Sequence, residues 1–457
     1  MENNLPESWE LVKLVEQINF LSTGVKEYSG TRKYYSTGSI QENVNTPEGE
    51  FTFKNRPSRA NRISVKGDVF QARMKATDKG ILVDDKLHDQ LFSTGFIQLR
   101  PYGNTYDNKL LYYLIKSEQF LTQKNEYATG STQEALTDTG ASEIEIPLPP
   151  LAEQQRIVAK LDAVFEKIES NKKRLEKIPV ILKRFRQSVL AAAVSGRLTE
   201  DWRGNKDYDN DSDLPISWRL VKIDKLVNST KTDLRTGPFG TALKKSEHKE
   251  VGIPVWGIES IGENGLFTGY NKIFVSIEKA KELKSFEVKG GNIIISRSGT
   301  VGEICILPED IQYGLISTNL MKIVLNNEVI LSKYFCWLFD GSQIVIDKLR
   351  ELCTGSTRLF LTQTILKEID YPLPPIDEQI VIIKRVNELI AFSDKLEARY
   401  NKAKAMLDKV PQSILAKAFR GELVSQNPND EPASVLLDRI KEEKEKLKTV
   451  KNTRKKK

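Results

Sequence analysis

The clearest pattern in this chain is a seven-residue recurrence of apolar positions in two stretches, each following a Pro-Leu-Pro-Pro stop. After Pro147 to Pro150, Leu161, Ile168, Leu175, Leu182 and Val189 recur, with Ile157, Val164, Ile178 and Phe185 at the complementary positions and Asn171 as the polar exception. After Pro372 to Pro375, Val386, Tyr400, Leu407 and Ile414 recur, interleaved with Ile382, Leu389, Leu396 and Val410. This heptad is the narrow seam of a coiled coil, not the broad face of a helix on a globular core. It predicts two helices of about forty residues, roughly 60 Å each at a rise of 1.5 Å per residue. So narrow a seam needs a partner helix, and the other copy is the obvious one. Such a pair would run antiparallel, with a globular part at either end; two separate helical hairpins are the competing arrangement. Pro179 and Pro411 lie inside these helices, where each removes a backbone donor and is expected to introduce a kink.

The two stretches belong to a longer duplication. Gly130 to Leu198 aligns without a break onto Gly355 to Leu423, and 25 of the 69 positions are identical. Weaker anchors lie upstream: Leu5-Pro6-Glu7-Ser8-Trp9 recurs as Leu214-Pro215-Ile216-Ser217-Trp218, and Gly67-Asp68 with Arg73 recurs as Gly291-Asn292 with Arg297. Ser93-Thr94 meets Ser317-Thr318. Sequence between the anchors is largely unrelated, so each half is a variable globular part followed by a shared helical part. The globular parts mix short β-branched runs (Ile293 to Ile295, Met321 to Val324) with amphipathic stretches (Leu110 to Phe120, Leu331 to Phe339), which predicts an α+β fold. The expected division is a first globular domain over 1–150, a central helical region over 151–198 and a polar linker over 199–213. A second globular domain over 214–375, a distal helical region over 376–423 and a C-terminal helix and basic tail over 424–457 complete it.

Composition narrows the function by subtraction. A chain of 457 residues is expected to hold two to four domains. Of the net charge of +7, the segment 441–457 supplies +6 (nine Lys or Arg against three Glu), leaving about +1 elsewhere. Any basic surface is therefore local. Three cysteines without metal-ligand spacing and only two histidines argue against a zinc site or a Ser-His-Asp triad and suit a reducing compartment. No secretory signal is visible and no apolar run is long enough to span a membrane, so no membrane partner is expected and a cytoplasmic location is. A phosphate-binding Gly-x4-Gly-Lys-Ser/Thr loop and the Asn/Asp-Pro-Pro-Tyr tetrapeptide of adenine methyltransferases are both missing. A recognition or scaffold component fits these absences better than an enzyme.

The segment from Pro147-Leu148-Pro149-Pro150-Leu151-Ala152-Glu153-Gln154 through Leu182 to Ala191 and Gly196-Arg197-Leu198 resembles the conserved region of type I restriction-modification specificity subunits. So does Ser413 to Ala418 with Phe419-Arg420-Gly421-Glu422-Leu423. The resemblance covers essentially the whole chain, in the order recognition domain, conserved helix, recognition domain, conserved helix. It implies a subunit without catalytic, cofactor or metal residues of its own. Each recognition domain would read one half of a bipartite site in double-stranded DNA, with the helices setting the spacing. It also implies two modification subunits that methylate adenine using S-adenosylmethionine, and restriction subunits that use ATP and Mg to translocate and cut DNA. A coiled-coil scaffold with protein-binding ends is the rival reading.

Reading bases requires Arg, Lys, Asn or Gln at groove edges, and phosphates accept from Lys, Arg, Ser, Thr and backbone donors. Candidates are Arg73 and Lys75, with Ser296, Arg297 and Ser298 as the counterpart. Because both halves keep the arginine, a phosphate contact or an internal brace suits it better than base reading. The shared turns Ser131-Thr132 and Ser356-Thr357-Arg358 offer small donors. Lys54, Arg56, Arg59 and Arg62 cluster in the first half alone, and Lys244-Lys245, after Thr236-Gly237-Pro238-Phe239-Gly240, in the second. For each cluster a solvated basic loop is the plain alternative.

Overall fold

The computed structural model describes the chain except residues 1–4, 42–44, 104, 205–206, 240–241, 263–264, 312, 354–359 and 443–457. It divides into two compact units: Met1–Leu175 with Lys402–Lys457, and Glu176–Asn401.

In the first unit the strands are β1 (Glu10–Lys13), β2 (Ile18–Phe20), β3 (Arg32–Tyr35), β4 (Gly49–Phe51), β5 (Ala60–Ile63), β6 (Val69–Ala72), β7 (Gly80–Leu82), β8 (Leu91–Ser93), β9 (Phe96–Pro101), β10 (Ala128–Thr129), β11 (Ala135–Leu136) and β12 (Glu145–Leu148). They form two four-stranded sheets, β2-β9-β6-β7 and β4-β3-β8-β5, and the pairs β1-β12 and β10-β11. Short helices α1 (Leu14–Gln17), α2 (Asn108–Ile115), α3 (Glu118–Glu126) and α4 (Asp138–Glu143) pack beside them. Asp107 caps α2 and Ser117 caps α3, each accepting from an otherwise unpaired backbone N–H of the first turn.

The second unit repeats this plan. Its strands are β13 (Arg219–Val221), β14 (Leu234–Thr236), β15 (Ile253–Trp256), β16 (Ile273–Val275), β17 (Glu287–Val288), β18 (Ile293–Ser296), β19 (Ile304–Ile306), β20 (Gly314–Ile316), β21 (Leu320–Ile323) and β22 (Tyr371–Leu373). The sheets are β14-β21-β18-β19 and β16-β15-β20-β17, closed by β13-β22. Each unit contains a parallel pair at the same place, β3 with β8 and β15 with β20. The shared topology rests on shared turns. Gly67 and Gly291 both take positive φ (90° and 77°) ahead of the buried central strands β6 and β18. The next residue then accepts from a backbone N–H three positions back, Asp68 from Val65 and Asn292 from Lys289.

The long helices depart from the expectation in one respect. The first is broken into α5 (Leu151–Leu175) and α6 (Ile178–Val194). Pro179 has no N–H to give the carbonyl of Leu175, so α5 ends there, and proline is tolerated in the first turn of α6. After α7 (Glu200–Arg203) and the second unit's α8 (Ile277–Glu282), α9 (Ser332–Gly341), α10 (Gln343–Cys353) and α11 (Gln363–Glu368), the last long helix α12 (Ile376–Phe419) continues through Pro411 over 44 residues.

Within the first unit Ile157 and Leu161 share a core with Leu415, Ala418 and Phe419. Within the second, Val189 and Ala193 share one with Ile382 and Val386, while Arg186 pairs with Asp394 and Glu397. Residue numbers rise along α6 as they fall along α12, so the helices of this unit run antiparallel. Of the predicted seam, Leu161, Ile168, Leu182, Val189 and Val386 are buried, whereas Leu175, Leu389, Leu396, Leu407 and Ile414 are half-buried.

Candidate nucleic-acid interface

Each globular part is fixed to the start of its long helix by the same buried device, which explains the repeated Trp and Glu-Gln. In the first unit Trp9 Nε1 donates to Glu153 Oε2 at 2.9 Å. In the second Trp218 Nε1 donates to Glu378 Oε2 at 2.9 Å. The adjacent glutamines bind backbone: Gln154 accepts from Asp107 N and donates to Pro149 O, and Gln379 accepts from Leu331 N and donates to Pro374 O. Satisfied buried groups of this kind fix orientation as well as stability.

The second carboxylate oxygen distinguishes the units. Glu153 Oε1 accepts from the neutral Gln426, and burial raises its carboxyl above the ordinary range. Glu378 Oε1 accepts from Thr199 at 2.6 Å and from the Arg203 guanidinium at 2.5 Å, a buried ion pair. Gly196 and Gly421 close the device. Both have left-handed φ (78° and 76°), and a Cβ on either would overlap a proline ring, Pro215 and Pro6 respectively.

The repeated arginines stand at one end of the first sheet in each unit, with different surroundings. Arg73 is fully engaged: Nε donates to Phe96 O, one terminal nitrogen to Leu136 O at 2.8 Å, and the other to Asp138 Oδ1 at 2.5 Å. That geometry is an internal brace. Among the described residues Arg297 makes one long bond, to Thr318 O at 3.4 Å, and its buried Nε has no partner. Its guanidinium lies 5.7 Å from the ring centre of Phe239 and 5.6 Å from that of Phe360. Burial lowers its pKa from the ordinary arginine value.

Several other candidates converge on the same ends. In the first unit Arg73 and Lys75 lie along the β10-β11 hairpin, through Leu136 N to Arg73 O and Lys75 N to Glu134 O. The Lys75 side chain is ion-paired with Glu134 at 2.7 Å. Ser131 and Thr132 form the exposed tip of that hairpin, and Lys54 and Arg59 are exposed on a loop whose Arg59 carbonyl accepts from Thr94 N. Arg56 is occupied by the Phe53 and Ala60 carbonyls and lies over the Phe53 ring.

In the second unit Ser298 Oγ donates to Asn319 Oδ1, and the buried Ser296 Oγ to Ser298 O. Lys244 and Lys245 are exposed in a separate turn in which Lys244 N donates to Glu247. Ser356, Thr357 and Arg358, like Gly240, lie outside the described residues.

Two contributors escaped the sequence reading. Lys124 is buried and donates to Met74 O at 2.7 Å and to Thr77 O, pinning the loop that carries Lys75; burial lowers its pKa to about 8. Asp138, the anchor of Arg73, is replaced by Gln363 at the aligned position of the second half, a difference visible in the repeat alignment. Among the described residues no group of three His, Cys, Asp or Glu side chains is placed to hold a metal ion, and no helix is long and apolar enough to cross a membrane.

The sequence model described as the type I restriction modification DNA specificity domain matches residues 6–180 and again 218–405. The chain is 33% identical to the EcoBI specificity subunit of Escherichia coli over 356 residues, 74% of this chain and 72% of that one. It is 27% identical to the EcoDI specificity subunit of Escherichia coli, over 96% of both chains. The solved HsdS subunit from Thermoanaerobacter tengcongensis has the same fold, with a TM-score of 0.64 and 23% identity over 92% of this chain and 98% of that one. A chain of a solved type I R-M system gives a TM-score of 0.69 at 24% identity, covering 92% and 99%. With two matched specificity domains and a relative of this similarity, the chain belongs to the family of type I restriction-modification DNA specificity subunits.

Proposed function

We propose that this chain reads a bipartite site in double-stranded DNA, one half through each unit, and performs no chemistry itself. The observation that carries this reading is the same topology built twice from unrelated loops, each copy fixed to a long helix by the same Trp-Glu-Gln device. Identical frames with different contact surfaces are what two half-sites of different sequence require. The residues around 1–150 and 214–375 are the recognition domains, with 151–198 and 376–423 as the spacing and docking elements. Residues 199–213 and 424–457 join and end them.

The antiparallel order seen within the second unit supports pairing of the long helices along their length as a ruler. At 1.5 Å per residue α12 spans about 66 Å, enough to hold two reading surfaces one DNA turn, about 34 Å, apart. Two modification subunits carrying S-adenosylmethionine would dock on the helical regions and methylate adenine in both strands. Restriction subunits using ATP and Mg would complete the cleaving complex in the cytoplasm. The full chain with its modification subunits should bind a duplex carrying both halves with a steep salt dependence from counterion release. Equal affinity for duplexes lacking either half would overturn the reading.

A further inference from the structure

The repeated arginine and the gapless repeat that begins at Gly130 and Gly355 meet in the same way in both halves, and this exposes a chemical difference between them. Asp138 and Gln363 are both the first residue of a short helix, α4 and α11. Their N-caps are the aligned Thr137 and Thr362, which accept from Gly140 N and Ile365 N respectively. The preceding leucines match as well: Leu136 N donates to Arg73 O and Leu361 N to Arg297 O. The backbone therefore delivers positions 138 and 363 to the same place. In the first unit that place holds a carboxylate bound to the arginine. In the second, Gln363 donates instead to Thr236 Oγ1 at 3.3 Å. Among the described residues no carboxylate pairs with Arg297, whose buried Nε is unpartnered.

The surroundings changed along with the partner. Phe360 stands where the first half has Ala135, and Phe239 lies equally near the guanidinium; their exposures are 40% and 64%. A guanidinium near two aromatic rings is held in orientation without using its hydrogen-bond donors, and an exposed ring is itself a stacking surface for nucleic-acid bases. The adjacent Ser317–Asn319 turn adds a buried, unpartnered Ser317 hydroxyl. A brace satisfies its donors internally, as Arg73 does; among the described residues Arg297 does not.

We propose that Arg297, flanked by Phe239 and Phe360, is a duplex-contacting residue of the second unit alone, released for that role by Gln363 where the first unit carries Asp138. This rests on the reading of the chain as a DNA-recognition subunit. Its ligand is a hydrogen-bond acceptor of DNA, a base edge or a phosphate oxygen. Gln363 acts as a positioning residue, by leaving the arginine uncommitted.

The test uses the full chain assembled with its modification subunits, on a duplex with its complete site and on duplexes with each half scrambled in turn. Arg297→Gln should weaken binding of the complete site by roughly ten- to a hundred-fold, and the loss should vanish when the second unit's half is scrambled. Gln363→Asp keeps the arginine but rebuilds the first unit's clamp. It should weaken binding in the same direction without lowering the melting temperature, which separates recruitment of Arg297 from damage to the fold. A loss confined to one base pair marks a base edge, and a salt slope reduced by about one marks a phosphate. If both variants bind like the unmodified chain while that chain still distinguishes complete from scrambled sites, this inference fails and the wider reading stands. If the unmodified chain makes no such distinction, the wider reading fails first.

Discussion

Replacing Glu378 by glutamine should destabilise the second unit far more than the same change at Glu153 destabilises the first. Glu378 is 1% exposed and accepts from Trp218, Thr199 and Arg203, whose own side chain is 4% exposed. Glu378→Gln preserves volume but leaves a buried guanidinium without its counter-charge, a loss of about 3–5 kcal/mol. Arg203 also donates to Thr199 Oγ1 and Tyr208 Oη, so the lower end, ~3 kcal/mol, is expected. Among the described residues Glu153 accepts hydrogen bonds only from neutral partners, Trp9 and Gln426. The Gln426 amide can turn its carbonyl to the new amide, leaving a loss on the order of 1 kcal/mol or less.

Hydrogen exchange reads the two units separately. Glu378→Gln should accelerate exchange around β13, β22 and α9, while Glu153→Gln should have a small effect near β1 and β12. Adding Arg203→Met to Glu378→Gln should recover most of the loss, because deleting both members of a buried pair is far cheaper than deleting one. Equal losses at the two glutamates, or no recovery in the double variant, would refute the assignment of the second clamp to a buried ion pair.

Three further outcomes follow from the same structure. Lys124 titrates at about 8 in the folded chain against an ordinary 10.5, so the unfolded chain holds more protons between these values. Stability should therefore rise with pH across that window; Lys124→Met should abolish the rise in pH-dependent melts and speed exchange of the 74–79 loop. Burial raises the Glu153 carboxyl, so the native state keeps its proton above the ordinary 4.5 and stability falls as pH rises through that interval. Glu153→Gln should flatten that slope, and a slope unchanged in the variant would contradict the cause given. Gly196→Ala and Gly421→Ala should each cost at least about 1–2 kcal/mol from left-handed backbone strain alone, with added overlap on Pro215 and Pro6. Urea unfolding measures this, and tolerance of either alanine would show that the closures are not needed.

Local patterns carried much of this into the sequence. The heptads marked both long helices, the β-branched run Ile293 to Ile295 became the buried strand β18, and Leu331 to Phe339 fell on α9. The break after Leu175 was not legible from the heptad, since apolar spacing continues across it while Pro179 decides the hydrogen bonding. The duplication suggested an antiparallel pair without excluding separate hairpins, and the pairing of Arg186 with Asp394 and Glu397 gives that order to α6 and α12 within the second unit. The polar segment 199–213 looked like a plain connection, yet it delivers Thr199 and Arg203 to a buried carboxylate 179 and 175 residues away. Arg73 and Arg297 looked equivalent because each lies six residues after the repeated glycine, Gly67 or Gly291; the residue that separates them lies 65 positions from Arg73, at Asp138.

Mapping methylated adenines in the genome of a host that expresses this chain with its modification subunits, before and after residues 9–146 are exchanged for another recognition domain, tests division of labour between the units most directly. The account predicts a motif of two defined blocks separated by a fixed number of unspecified bases, of which the exchange rewrites one block and leaves the other intact. A single continuous motif, or an exchange that alters both blocks, would contradict it.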